Sequence, residues 1–317
     1  MKMTLEDENL LLAALAGNVK DVEKWHQKGG CLEVRNNSRD TVVHIAVSLN
    51  YTDLFDYVVD RVPRPFLDSL NREGLTPLMI ACEKPGTEKM IEALLTRGVH
   101  RRKLTQDTKF TPLMTLAAAG RIDAIDLFYR YPDERTYPEL DLPKEKRKGI
   151  RLHDIRALYP IMDRNHLMAA TLAHQIKAMK FILNREPALL NTVDRCGLSA
   201  LLLAARDGKK DIEPELVLLD AGADPFIKPI SKDAKSFIEY VYAKCMRLEN
   251  GPKQFAKIKA CCEKYPTLKA EIRRLETEPK CPPKPVTVKS GKEMSALDRA
   301  FKFRLISEIY EREYDKY

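Results

Sequence analysis

The chain has 317 residues, 44% of them hydrophobic and 32% charged, which is enough apolar material for a sizeable core and excludes disorder over the whole length. The formal net charge of +8 indicates either an acidic partner or simple solubility. The first apolar stretch, LLLAALAG, is too short for a signal peptide or a membrane span. The cysteines form no CxxC pair, and no histidine pair stands at zinc-site spacing. We therefore expect no metal, no cofactor and reduced thiols, several of them buried, in a cytoplasmic protein, with a nuclear or cytoskeletal location as the alternative.

A block of small and apolar residues recurs along the chain. It reads TVVHIAVSLN at 41–50, TPLMIACEKPG at 76–86, TPLMTLAAAG at 111–120 and SALLLAARDG at 199–208, with weaker copies at 10–18 and 166–174. Its aligned apolar markers lie 33, 35, 35, 54 and 34 residues apart by subtraction, and they are Leu10, Val43, Leu78, Leu113, Leu167 and Leu201. A period of this length predicts a repeat protein with one long insertion.

Each copy predicts a pair of short helices. A second apolar run follows every copy, with the spacings of three and four residues that mark an amphipathic helix. Threonine and proline at Thr76 and Pro77 suit a helix start, and Gly98 and Gly222 stand where a helix C-cap needs positive φ. Such a unit buries its leucines only against its neighbours, so the fold class is an all-α solenoid of stacked helix-turn-helix units with short turns or hairpins.

Two segments carry a family resemblance. GLTPLMIACEKPGTEKMIEALLTRG at 74–98 and CGLSALLLAARDGKKDIEPELVLLDAGADP at 196–225 resemble the ankyrin repeat, with TPLM where that family usually has TPLH. The resemblance covers roughly residues 8–230 with six units, of which the third, fourth and sixth are the most specific. It implies that His44, in the family's histidine position, bridges backbone between units rather than binding a ligand.

The pattern predicts six segments. They are ankyrin repeats one to four at 1–130, an insertion at 131–160, repeats five and six at 161–230, C-terminal capping helices at 231–277, a proline-rich linker at 278–293 and an amphipathic tail helix at 294–317. Residues 236–248 are expected to form one more inner helix, that is, one equivalent to the first helix of each repeat. Residues 254–276 are expected to form two helices divided at Pro266.

The insertion and the tail are two further candidate contact sites. The insertion contains a basic loop. It is a nuclear-import signal, a contact for an anionic partner, or simply a solvated loop. Its cations are Lys144, Lys146, Arg147, Lys148 and Arg151. The tail has one apolar stripe at helical spacing, which consists of Met294, Leu297, Phe301, Leu305 and Ile309. That stripe packs either on its own array or in a partner's groove.

We expect a non-catalytic protein-interaction scaffold or adaptor. The sequence contains no P-loop, GxGxxG, HExxH, GxSxG or kinase signature, and it has no room for a recognisable catalytic domain after the sixth unit. The alternatives are a structural subunit of a large cytoskeletal or ciliary assembly and, much less favoured, the recruiting arm of an enzyme. No small-molecule substrate is expected. A nucleic acid is not expected as the partner either, because the sequence has no aromatic and basic motif of the nucleic-acid binders.

The resemblance implies that the turn tips and the outward positions of the first helices bind the partner. The tips are Arg35, Arg39, Arg72, Asp107, Lys109 and Arg195, and the helix positions are Ser48, Glu83, Lys84, Arg206 and Asp207. Because the tips are largely cationic, we expect an acidic peptide or an acidic protein surface as the partner.

Overall fold

A computed structural model describes residues 5–102, 110–131, 164–207, 211–230, 235–248 and 250–277. These residues fall into two compact units. The first unit comprises 5–102, 110–116 and 121–131, and the second comprises 117–120 and the described residues from 164 to 277.

The described residues are helical, with isolated backbone bridges at Arg35–Thr41 and Val193–Ser199. The helices up to residue 131 are α1 (Leu5–Leu15), α2 (Val19–Gln27), α3 (Val42–Ser48), α4 (Thr52–Val59), α5 (Arg64–Leu67), α6 (Pro77–Glu83), α7 (Glu88–Thr96), α8 (Pro112–Ala119) and α9 (Ile122–Arg130). The later helices are α10 (His166–Leu172), α11 (Ile176–Arg185), α12 (Ala200–Arg206), α13 (Glu213–Asp220), α14 (Phe237–Cys245), α15 (Gly251–Cys261) and α16 (Pro266–Thr277), with a 3-10 turn at Pro187–Leu189.

Helix pairs stack in two layers within each unit. In the first unit, α1, α3 and α6 pack side by side as the first helices of their pairs, and α2, α4, α7 and α9 form the second layer. In the second unit, α10, α12 and α14 form the first-helix layer, and α11, α13 and α15 form the other. Alanines at the centre of the first helices, such as Ala46, Ala81 and Ala204, are fully buried, which allows the neighbouring helices to approach closely. The sequence prediction of an all-α repeat solenoid is confirmed.

A polar residue caps the start of most first helices. Its side-chain oxygen accepts a hydrogen bond of 2.9 to 3.3 Å from the N–H three residues later, and the capping residues are Thr41, Thr76, Thr111, Asn165, Ser199 and Ser236. Each cap satisfies an N–H that has no partner within the helix and contributes about 1 kcal/mol. The capping residue that recurs with the repeat therefore marks where each of these first helices begins.

His44 connects two repeats, as the sequence predicts. Its Nδ1 accepts a hydrogen bond from the N–H of Thr41 at 3.2 Å, which leaves Nε2 protonated to donate to the carbonyl of Leu75 at 3.1 Å. Leu75 precedes the next first helix, so the imidazole bridges the backbone of successive pairs. Burial lowers the pKa of His44, and both ring nitrogens are used by the protein itself.

Two cations cap the carboxyl end of a first helix in the preceding pair. The Arg121 guanidinium donates to the carbonyls of Ala81, Cys82 and Lys84 at 3.0, 3.1 and 2.5 Å, at the end of α6. Lys244 donates to the carbonyl of Ala204 in α12 at 3.1 Å. Terminal carbonyls of a helix lack partners within it and carry partial negative charge, so both cations stabilise the junction between consecutive repeats.

Three features were not predicted from the sequence. Helix α5 and the turn at Pro187–Leu189 follow the second helices of the second and fifth pairs, and both are too short to show a helical period. The pair of α14 and α15 packs on α12 and α13 as a further repeat would, and α16 lies against α14. Pro266 begins α16, so the expected break between the last two helices is confirmed.

Buried histidines predict a loss of stability in mild acid. Burial lowers the pKa of His44, and it lowers the pKa of His166 from its ordinary value of 6.5 to about 4. The unfolded chain therefore binds protons below pH 6.5 that the folded chain does not, and the folded state loses stability as the pH falls. For His166 the loss between pH 7 and pH 5 is about 2 kcal/mol.

Chemical denaturation at the two pH values measures this loss. The His44→Gln and His166→Gln variants, which cannot titrate at these positions, should each lose less stability on acidification than the parent chain. An equal loss in all three proteins would contradict the assignment.

Candidate protein-binding surface

The segments before the first helices turn back as short hairpins, here called fingers and numbered by the repeat that follows, so that the sixth finger is 193–199. The second and third fingers are joined. In the second finger (35–41), the Asp40 N–H donates to Asn36 Oδ1 at 2.8 Å. In the third finger (70–76), Asn71 donates from Nδ2 to Asp40 Oδ1 at 3.0 Å. A side chain–backbone hydrogen bond within the second finger and a side chain–side chain hydrogen bond to the third thus hold the two tips in one arrangement.

The structure brings Arg39 and Arg72 together at the tips of these fingers. The Arg72 N–H donates to the carbonyl of Ser38 at 2.8 Å, so the two arginines belong to directly bonded stretches of backbone. Both side chains are exposed. Among the described residues, neither guanidinium forms a hydrogen bond or an ion pair.

Arg39 adopts a backbone conformation that favours glycine. Its φ is 62°, and the corresponding positions in the third and sixth fingers are Gly74 and Gly197, with φ of 74° and 76°. An arginine in this left-handed region costs about 1 kcal/mol relative to glycine. The second finger therefore carries a cation at a position where the backbone favours glycine.

Arg35, also predicted as a contact residue, interacts within its own unit. It donates to the carbonyl of Leu70 at 3.4 Å, and its guanidinium lies 5.0 Å from the centre of the Phe66 ring. The side chain is half-buried. Its contribution to partner binding remains a prediction, and the observed contacts give it a role in joining two fingers.

The predicted helix positions of the first unit have mixed charge. Ser48 ends α3 and Glu83 ends α6, both half-buried, whereas Lys84 is exposed. Burial raises the pKa of Glu83, and the neighbouring carboxylate of Glu73 raises it further. The basic character of the surface is therefore concentrated at Arg39 and Arg72 rather than spread along the helix ends.

In the second unit the predicted residues have different surroundings. Arg195 is exposed on the sixth finger. The Arg206 guanidinium lies 5.5 Å from the centre of the Tyr240 ring, and Asp207 Oδ2 lies 2.7 Å from Nε2 of His174. Arg206 and Asp207 thus contact neighbouring repeats of their own unit.

The remaining predicted residues lie outside the described residues. They are Asp107 and Lys109, the basic loop of Lys144, Lys146, Arg147, Lys148 and Arg151, and the tail residues Leu297, Phe301, Leu305 and Ile309.

Exposed apolar side chains were missed by the sequence analysis. Leu12 is 62% exposed and Ile230 is 72% exposed. The Ile230 N–H donates to the carbonyl of Cys196 at 3.0 Å, which places this isoleucine beside the sixth finger. Leu12 belongs to an apolar helical pattern that predicts burial, so only the structure identifies it as surface.

Several chemical functions find no support in the described part of the chain. No described helix is long and apolar enough to cross a membrane, and no group of His, Cys, Asp and Glu there is arranged to hold a metal ion. Cys82, Cys245 and Cys262 are fully buried, as expected. Burial raises the pKa of all three thiols, to about 11 for Cys245 and Cys262, which disfavours the reactive thiolate.

The stacked helix pairs and bonded fingers define a helical repeat protein, and comparisons identify the repeat. Residues 10–107 match the family model described as ankyrin repeats in three copies. The crystal structure of the human ASB11 ankyrin repeat domain is similar in fold, with a TM-score of 0.51 and 16% identity, over 75% of this chain and 91% of that one. No curated protein matches the sequence.

Residues 10–107 are therefore identified as ankyrin repeats, and the chain shares its fold with an ankyrin repeat domain. Ankyrin repeats generally mediate protein–protein interaction and are typically not enzymatic.

Proposed function

We propose that this protein is a non-catalytic interaction module that binds an acidic segment of another protein at the tips of its second and third fingers. The observation that supports this most is the exposed pair Arg39 and Arg72: the Arg72 N–H donates to the carbonyl of Ser38, the residue before Arg39, at 2.8 Å. Because the finger backbone is already held by hydrogen bonds, it loses little conformational freedom on binding, and a pair of cations suits a partner with closely spaced carboxylates. Arg195 presents a cation in the corresponding region of the second unit. We further propose that the protein acts as a scaffold or adaptor in the cytoplasm.

The conformation of Arg39 supports the same function. A glycine would relieve the backbone at this position, as in the two related fingers. Strained residues with exposed polar side chains occur frequently at binding sites.

Charge reversal at the tips tests the proposal. Crosslinking the full chain in cells supplies candidate partners, and the affinity of each purified candidate is then measured for the parent chain and for Arg39→Glu/Arg72→Glu. We expect affinity to fall by about tenfold or more, and added salt to weaken parental binding.

Two further variants serve as controls. Lys20→Glu/Lys89→Glu makes the same change of charge at exposed positions on α2 and α7, and it should leave the affinity within about twofold. Arg39→Gly should reduce binding while raising the free energy of unfolding by about 1 kcal/mol, which separates loss of contact from loss of folding. If the tip and control pairs bind equally well, the finger tips are not the site.

A further inference from the structure

Ser38 lies between the two arginines of the finger tips. It is an exposed residue of the second finger and stands directly before Arg39. Its carbonyl accepts the 2.8 Å hydrogen bond from the N–H of Arg72. Both arginines are exposed as well. A serine hydroxyl on the surface is thus flanked by one arginine along the chain and by a second across a backbone hydrogen bond.

The equivalent position of the third finger already holds an anion. Arg39 and Gly74 both have positive φ, and in each turn the N–H of this residue donates to the carbonyl three residues earlier, at 2.8 and 3.1 Å. The residues directly before them, Ser38 and Glu73, therefore occupy equivalent places. Glu73 is exposed, so a negative group on this position extends into solvent without a change of backbone.

The charge pattern around Ser38 suits a protein kinase that selects basic substrates. Arg35 stands three residues before the serine, and Arg39 follows it directly. Protein kinases discriminate between substrates partly by such charge patterns, because carboxylates in the kinase groove attract the basic residues. The hydrogen bond from Arg35 to the carbonyl of Leu70 is long, at 3.4 Å, so this guanidinium can exchange it for a carboxylate of the kinase.

We propose that Ser38 is a phosphorylation site whose phosphate pairs with Arg39 and Arg72 and thereby releases the acidic partner. A protein kinase transfers the γ-phosphoryl group of ATP to Ser38 Oγ. A bond from Oγ to phosphorus forms, the bond from the γ-phosphorus to the bridging oxygen of ADP breaks, and the hydroxyl proton passes to solvent. The product has a charge of about −1.5 to −2 at pH 7 and three strong acceptor oxygens.

The phosphate acts on the site in two ways. Arginine forms two parallel hydrogen bonds with a phosphate, so the phosphate occupies the two cations that the proposed function assigns to the partner. Its negative charge also repels carboxylates of that partner. The release of the partner rests on the proposed function, whereas the pairing of the phosphate with Arg39 and Arg72 does not.

Phosphorus NMR tests the pairing without any partner. The full chain is produced with phosphoserine placed at position 38 during translation, and the phosphate is titrated. Neighbouring cations favour the dianion, so we expect a second pKa of about 5.5 or lower, against about 6 for an unpaired phosphoserine. Arg39→Gly/Arg72→Gln should return the phosphate pKa to about 6. The matched control Lys20→Gln/Lys89→Gln removes two exposed cations from α2 and α7, and it should leave the phosphate pKa unchanged.

Mass spectrometry tests whether Ser38 is modified. The folded full chain is incubated with ATP and a set of kinases that select basic substrates, and the chain isolated from its own cells with phosphatases inhibited is measured beside it. We expect phosphate on Ser38 in both samples and no phosphate on this segment of Ser38→Ala. A cellular chain without phosphate on Ser38 would overturn the assignment of the site.

Affinity measurements separate this proposal from the proposed function. For a partner that Arg39→Glu/Arg72→Glu binds weakly, phosphorylation of Ser38 should lower the affinity by at least about tenfold, whereas Ser38→Ala should bind within about twofold of the parent chain. Equal affinity of the phosphorylated and parent chains for such a partner would overturn the release alone. If no partner depends on the two arginines, the proposed function and the release are both wrong, and the phosphate pKa still decides the pairing.

Discussion

Replacing Lys244 by methionine is expected to lower the free energy of unfolding by about 3–5 kcal/mol, since the change leaves a buried carboxylate without its cation. Lys244 Nζ lies 2.7 Å from Glu215 Oε1, and the two side chains are 5% and 0% exposed. The other oxygen, Glu215 Oε2, has no hydrogen-bond partner among the described residues. The carbonyl of Ala204 would lose a donor as well. Denaturation followed by circular dichroism, with amide exchange in α12–α15, measures the change.

The double variant Lys244→Met/Glu215→Leu is the matched control. It removes both charges and keeps similar volumes, so its stability should return to within about 1 kcal/mol of the parent chain. If the single and double variants are equally unstable, the loss comes from packing rather than from the unpaired carboxylate.

The deficit of Lys244→Met should also depend on pH. Burial raises the pKa of Glu215, and the Lys244 charge partly offsets that rise. Without the lysine the pKa rises further, so the folded variant binds a proton that the unfolded chain releases above its ordinary glutamate pKa. The deficit should therefore be smallest in acid and should grow as the pH increases.

Replacing Arg121 by alanine is expected to destabilise the first unit by about 2–4 kcal/mol. Besides the three carbonyls at the end of α6, its guanidinium donates to Thr87 Oγ1 at 3.2 Å and to Glu88 Oε1 at 2.6 Å. The effect should be smaller than that of Lys244→Met, because the Glu88 side chain is 40% exposed and can be solvated after the change. Amide exchange in α6 and α7 should quicken most.

Two further variants show whether the hydrogen bonds or the charge of Arg121 stabilise the junction. Arg121→Met retains most of the aliphatic stem, and it should be nearly as unstable as the alanine variant if the hydrogen bonds dominate. Arg121→Lys keeps the charge but lacks a planar group able to reach five acceptors, so it should recover less than half of the loss. Full recovery by lysine would mean that charge alone stabilises the junction.

The acid dependence of Arg121→Ala has a defined sign. Burial alone would raise the pKa of Glu88, but the hydrogen bond and charge of Arg121 lower it below the usual range. A lowered carboxylate pKa stabilises the fold above the unfolded-state pKa, and this stabilisation is lost as the pH falls. The variant should lack this part of the acid sensitivity.

The sequence predicts the repeat fold because its information is local and periodic. Apolar spacing defines the two helices, and a capping residue such as Thr76 marks where a pair begins. The role of His44 was also predictable, since the family resemblance supplies its position. Helix α5 could not be predicted, because four residues are too few to display a helical period.

The surface was less predictable, because the partners of charged side chains lie in other repeats. Lys244 occurs in a helix of mixed character, and nothing near it in sequence reveals a carboxylate 29 residues away. Asp207 and Arg206 occupy outward positions by alignment, yet His174 and Tyr240 come from neighbouring repeats to meet them. That the guanidinium groups of Arg39 and Arg72 meet no such partner among the described residues is visible only in the three-dimensional arrangement.

The cations that cap a preceding repeat also impose an order on folding during synthesis. Arg121 and Lys244 each meet a carbonyl 40 residues earlier in the chain. A ribosome adds residues at about 5–20 per second, so the end of α6 waits roughly 2–8 seconds for its cap. During that interval each new repeat leaves the ribosome with open carbonyls and exposed leucines. A nascent chain that ends before residue 121 or 244 therefore lacks the cation that caps the preceding first helix.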